Sequence, residues 1–243
     1  MVQPNHRIGG SVHVVSSFSD AVEAPNPWLS WSYVTDYSQE LLAAGVQHVY
    51  LTVSSVLLAL VLAVPLALLV RRYRALKAPV LGLSGVLYTI PSLALISLLW
   101  PVFGLQPATV IIALAIYALL VVLRNTLVGL EGVPEEALDA ARGMGMTDRQ
   151  TLWRVQGPMG VPTILAGVRI ATVSTVGMVT IGALVGYGGF GQLILSGFQQ
   201  NFFHAQIATA TICCVLLATF FELLLLGVER GATPWTRGAG RRA

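Results

Sequence analysis

Residues 134–158 hold the densest cluster of side chains able to engage another molecule. Glu135, Glu136 and Asp139 come first, then the small residues Ala140, Ala141, Gly143 and Gly145, then Thr147 and Trp153. The spacing predicts two short helices joined by a turn. Pro134 suits a first helical position, and acids in the first turn face backbone N–H groups that favour negative charge. Alanines at 137, 140 and 141 propagate the helix, and Gly143 and Gly145 interrupt it. Thr147, with Gln150 three residues on, reads as a capping box. Leu152, Trp153 and Val155 give the second helix an apolar side, and Pro158 and Pro162 are expected to end it. Small residues beside exposed acids suit a knob that fits a groove on a partner. The same residues would also serve a well-solvated connector, and their types alone do not separate the two readings.

The segments that must position this island are made for a different solvent. Hydrophobic residues make up 55% of the 243 and charged residues 10%, against about 25% in a typical soluble domain. Residues 41–70, 78–123 and 170–221 carry no charge at all. A hydrocarbon layer of roughly 30 Å takes about 20 helical residues, so the first run holds one span and the others two each. Gly104–Pro107 and the string GYGGFG at 186–191 supply the breaks. The expectation is an all-α membrane protein with five helices, at about 47–70, 80–102, 108–129, 165–186 and 205–228. Residues 1–46 would be an extracytoplasmic tail with an interfacial helix over 31–46, anchored by Trp28, Trp31 and Tyr33. Residues 47–229 would be the membrane domain, with the polar loop at 131–162, and residues 230–243 a cytoplasmic tail. Thirteen of the 14 basic residues then fall on the side of the island, which predicts an outside N-terminus and a cytoplasmic C-terminus.

A net charge of +3 needs no nucleic acid, because basic residues flanking spans face anionic headgroups of the lipid bilayer. Cys213 and Cys214 are adjacent inside a span, without metal or redox spacing. No residue is a candidate for catalysis, cofactor binding or metal ligation. Glu222 is the one charge well inside a span, about seven residues from its end or roughly 10 Å by helical rise. Arg169, near the start of the fourth helix, is its natural partner, and the two are expected to form a structural pair. Pro91, with Ser92 beside it, removes an intrahelical hydrogen bond from the second span, as a simple kink or as a gate hinge. Thr172, Ser174 and Thr175 suit helix packing or pathway lining. The uncharged loop at 187–204, rich in Phe and Gly, is expected outside the membrane, as an anchor or a contact for a docked protein.

Asp139, Ala140 and Ala141, then Gly145 and Pro158, resemble the EAA loop of inner-membrane permease subunits of binding-protein-dependent ABC importers. The strings YTIPSLAL at 88–95, RNTLVGL at 124–130, AARGMGM at 140–146 and ALVGYGGFGQ at 183–192 are similar to those of the osmoprotectant branch, the permeases of glycine betaine, choline or proline type. The resemblance runs from about residue 39 to 230. It implies a type I ABC importer permease fold whose loop is the coupling helix, held in a cleft of the ATPase. Carried over, Asp139, Ala140, Ala141 and Gly145 are the signature positions and residues 135–155 the contact region. Two departures stand out: Asp139 replaces the usual glutamate, and Gly157 precedes Pro158 where an apolar residue is common.

The implied partners are two ATP-binding subunits, a second permease subunit (identical or paralogous) and an extracytoplasmic solute-binding protein. The sequence has no Gly-x-x-x-x-Gly-Lys-Ser/Thr, so ATP hydrolysis would belong to separate chains. The implied activity is alternating-access import of an osmoprotectant. The alternatives are a permease of a methionine-like amino-acid importer, a stand-alone secondary transporter or a membrane scaffold. A secondary transporter would be favoured by inverted repeats or several intramembrane charges, and neither is seen.

Overall fold

The computed structural model describes residues 26–235, and the expectations for residues 1–25 and 236–243 lie outside them. Ten α-helices follow in order among the described residues: α1 Trp31–Asp36, α2 Ser38–Arg72, α3 Lys77–Thr89, α4 Ser92–Phe103, α5 Pro107–Glu131, α6 Glu135–Gly143, α7 Asp148–Thr151, α8 Gly157–Val179, α9 Phe190–Gln199 and α10 His204–Ala232. The fold is all-α and multi-span. Four continuous helical stretches are long and apolar enough to cross a membrane: Ser38–Arg72, Pro107–Glu131, Asp148–Val185 and His204–Ala232.

The second expected span, at about 80–102, is not one helix. α3 and α4 meet at 97° around Ile90 and Pro91. Pro91 disfavours helical geometry at the residue before it, and Ile90 accordingly sits at φ −65°, ψ 128°. Pro91 is also extended, at φ −55°, ψ 136°, so two successive non-helical residues turn the chain where a kink was expected. The hydroxyl of Tyr117 on α5 donates to the carbonyl of Ile90 and holds the corner.

Two boundaries also differ from the expectation. The interfacial helix over 31–46 ends at Asp36, and Ser38 already begins the 35-residue first span. Tyr33 is buried against Tyr37 and Phe203, while Trp31 remains exposed. At the other end of the island, Pro158 and Pro162 do not stop the helix. The chain passes from α7 through a π-helical turn at Leu152–Gln156 into α8. Gly157 donates to the Leu152 carbonyl, a bond over five residues. That wider turn carries the helix up to Pro158, which then occupies the first turn of α8, where its missing N–H costs little.

α5 is the central helix, packed against α2, α3, α4 and α8. Ala59, Ala63 and Ala67 repeat every four residues on α2 and meet Ala115, Ala118 and Val122 of α5, with Ala171 of α8 beside them. Small side chains on one face let the backbones approach, and van der Waals packing does the work that the hydrophobic effect does in water. The two backbones meet where Gly129 on α5 faces Gly160 on α8, and an added Cβ on either would lie 2.7 Å from the other's carbonyl oxygen. This crossing lies next to the island and fixes the angle at which α8 leaves it.

Candidate coupling site and its supports

Pro134 lies one position earlier than the sequence suggests, as the N-cap of α6, and its carbonyl accepts from the amides of Ala137 and Leu138. Glu135 and Glu136 occupy the first turn. Asp139 binds Arg142 at 2.8 Å, both well exposed, so this pair contributes little to stability. Ala141 is fully buried and faces the bundle, whereas Glu135, Glu136, Asp139, Ala140 and Gly143 face outward. One side of α6 therefore holds the helix down and the other presents acids and small residues.

The turn after α6 is a Schellman motif. Gly145 has φ +70°, its amide donates to Arg142, and the Met146 amide donates to the Ala141 carbonyl at 3.1 Å. An added Cβ at Gly145 would touch nothing, so the requirement for glycine there comes from the backbone alone. Thr147 then caps α7 reciprocally with Gln150: the Gln150 amide donates to Thr147 Oγ1, and the Thr147 amide donates to Gln150 Oε1 at 2.8 Å. Gln156 is buried, and its side-chain amide donates to the carbonyl of Leu130 at the end of α5. Trp153 and Met144 stand out from this frame at 65% and 68% exposure. Met144 was not singled out from the sequence. Its signal was an apolar residue between two glycines, where a turn needs none.

Arg169 and Glu222 lie together, Nη1 to Oε1 at 2.8 Å. Glu229, one further acid on α10, approaches Arg169 Nε at 3.6 Å, an ion pair too long for a hydrogen bond. Glu229 is seven residues beyond Glu222, two turns along the same face. Pro91 and Ser92 form the α3–α4 corner. The trio on α8 does not share a face. Thr172 and Thr175 are buried and donate to the carbonyls of Val168 and Ala171, while Ser174 is exposed beside Gly177.

The far end of the bundle is tied by Asn26, Gln47 and His48, none of which the sequence pattern singles out, together with Trp28 and Phe190. His48, fully buried, donates from Nε2 to the carbonyl of Val176 at 2.9 Å and accepts the Phe190 amide on Nδ1 at 3.3 Å. A carbonyl accepts and an amide donates, so both contacts are made by one neutral tautomer of the ring. Gln47 Oε1 accepts the amide of Gly189 at 2.8 Å. Asn26 accepts the first amide of α10, at His204, and donates to the carbonyl of Phe202, while Trp28 stacks on His204 at 4.1 Å. The segment expected as an uncharged loop thus contains a helix, α9, whose Phe190 is buried beside His48.

Residues 49–233 match the family described as the binding-protein-dependent transport system inner membrane component, and the chain belongs to it. It is a multi-pass inner-membrane transport permease. It is 38% identical over 209 residues to the osmoprotectant import permease protein OsmW of Salmonella typhimurium, covering 83% of this chain and 96% of that protein. It is 35% identical to the glycine betaine/carnitine/choline transport system permease protein OpuCD of Bacillus subtilis, covering 85% and 91%. Its fold is that of the MetNI methionine ABC transporter in an inward-facing conformation, with a TM-score of 0.71 at 24% identity over 82% of this chain and 98% of that one.

Proposed function

We propose that this chain is the membrane-spanning subunit through which an ATP-driven importer passes an osmoprotectant of the glycine betaine, carnitine or choline class. The cargo assignment is supported by relatives that carry those names along nearly their whole length. In this reading the chain has its N-terminus outside and its C-terminus in the cytoplasm, pairs with a second permease subunit, receives solute from an external binding protein and leaves ATP hydrolysis to two ATPase subunits.

The observation that carries the mechanism is the outward face of α6. Glu135, Glu136, Asp139, Ala140 and Gly143 project from a helix whose inner side is anchored by Ala141 and whose far end is fixed by the Schellman turn. An ATPase that grips this face moves α8 through the unbroken path from α7 across the π-helical turn. The Gly129–Gly160 crossing passes that movement to α5. Rocking of α8 against the central helix then exposes the pathway alternately to either side. Ser174 and Gly177 on the exposed face of α8 are positioned toward the second subunit or the pathway, and the α3–α4 corner at Pro91 and Ser92 is the gate candidate. Thr172 and Thr175 serve packing.

The test is reconstitution of the permease with its ATPase and binding protein in proteoliposomes. Uptake of labelled glycine betaine is expected to require ATP and to be lost in Gly145→Val while the complex still assembles. Uptake that proceeds without an ATPase contradicts the reading, and transport of methionine but not glycine betaine overturns the cargo.

A further inference from the structure

We propose that the cavity at the island end of the bundle, where the α2–α3 corner faces α6, binds the phosphate of an anionic phospholipid headgroup. The cavity has a volume of about 740 Å³ and is walled by Arg71, Arg72, Arg74, Lys77 and Arg142. Two acids also line it, and they do not neutralise this set. Glu131 is engaged by Lys77, whose Nζ donates to both carboxylate oxygens at 2.9 and 2.7 Å. Asp148 sits in the first turn of α7, where the helix dipole already favours its charge. Arg142 turns to Asp139. Arg71, Arg72 and Arg74 have no ion pair among the described residues, and three like charges within four positions repel one another. The C-terminus of α2 offsets only part of that.

The ligand class follows from the guanidinium forks and from the place of the cavity at the end of the first span. Arginine forks match a phosphate in charge and geometry, and each adds charge-assisted hydrogen bonds. Beneath them the cavity is lined by Val70, Leu127 and Leu130, all apolar and buried. Being buried, these side chains present little surface to a ligand, and the exposed lining is mostly polar, so the arginines carry the recognition of the phosphate. Arg71 and Arg72 end the first span, so the rim lies at the membrane–water boundary, where phosphodiesters are. A headgroup held there joins the α2–α3 corner to α6, and the lipid becomes part of the frame that positions the island. This inference does not depend on the cargo.

The assembled transporter, purified in detergent, is to be titrated with phosphatidylglycerol, with phosphatidylcholine and with inorganic phosphate, and bound lipid counted by native mass spectrometry. One phosphatidylglycerol per permease chain is expected, with affinity falling roughly fivefold for each arginine removed in R71Q, R72Q and R74Q. R71K/R72K/R74K keeps most of the binding, and R149Q/R154Q, which removes two island charges outside the cavity, keeps all of it. If the triple glutamine variant does not assemble, R74Q alone carries the test. Undiminished phosphatidylglycerol binding in the glutamine variants, or equal binding of phosphatidylcholine, overturns the proposal. Occupation by inorganic phosphate that displaces the lipid also overturns it, and assigns the cavity to a soluble anion.

Discussion

Gly145 is the residue on which the shape of the island turns, because its left-handed backbone lets the chain reverse between α6 and α7. That conformation costs an ordinary residue about 1–2 kcal/mol and asparagine less. Coupled ATP turnover in the reconstituted complex is therefore expected to fall in the order Gly145→Asn, Gly145→Ala, Gly145→Val, with membrane abundance unchanged. An equal loss in all three would place the defect elsewhere. At the ion cluster, Arg169→Ala removes the cation that Glu222 and Glu229 share, whereas Glu222→Ala leaves Arg169 with Glu229. Membrane abundance is expected to drop several-fold more for Arg169→Ala, measured by quantitative immunoblot, while Glu222→Ala protein that does assemble still couples. Glu222 could be found in the sequence because it stands alone at the end of a charge-free run. Glu229 was hidden by its neighbour Arg230 and by the boundary where apolar patterning stops.

At the scale of elements, the end of the bundle opposite the island is tied by side-chain hydrogen bonds as well as by the apolar cluster of Leu51, Val110, Leu114 and Val179. His48→Leu keeps the volume but leaves the Phe190 amide without its acceptor and the Val176 carbonyl without its donor in a buried site. Each such group costs about 1–3 kcal/mol, so the purified complex is expected to unfold several degrees lower, and His48→Gln, which can restore one bond, less so. An unchanged melting temperature in His48→Leu would show that the tie is not stabilising. The spans themselves were legible, since charge-free runs and positive flanks report directly on hydrocarbon and headgroup. The break at Pro91 was not, because proline permits either a kinked helix or a corner, and the choice is made by Ile90 adopting an extended backbone with Tyr117 bound to its carbonyl. The π-helical turn at Leu152–Gln156 was hidden for a related reason. Prolines at 158 and 162 look like a stop unless a wider turn precedes them. The His48 tie joins residues 128 apart and leaves no local pattern.

For the molecule as a whole, the helices divide into a buried centre, α5, and an outer helix, α10, that turns most of its apolar surface away from the chain. That surface suits lipid or a second permease subunit. The central claim is that the outward face of α6 is where an ATPase grips the permease. A photoreactive benzophenone amino acid in place of Ala140, in the assembled transporter, measures this most directly. Illumination is expected to give a covalent permease–ATPase product whose yield changes when ATP is added. A label at Trp31, at the opposite end of the described chain, is expected to give none. Absence of an ATPase product from position 140 in a complex that still hydrolyses ATP and transports solute would contradict the account.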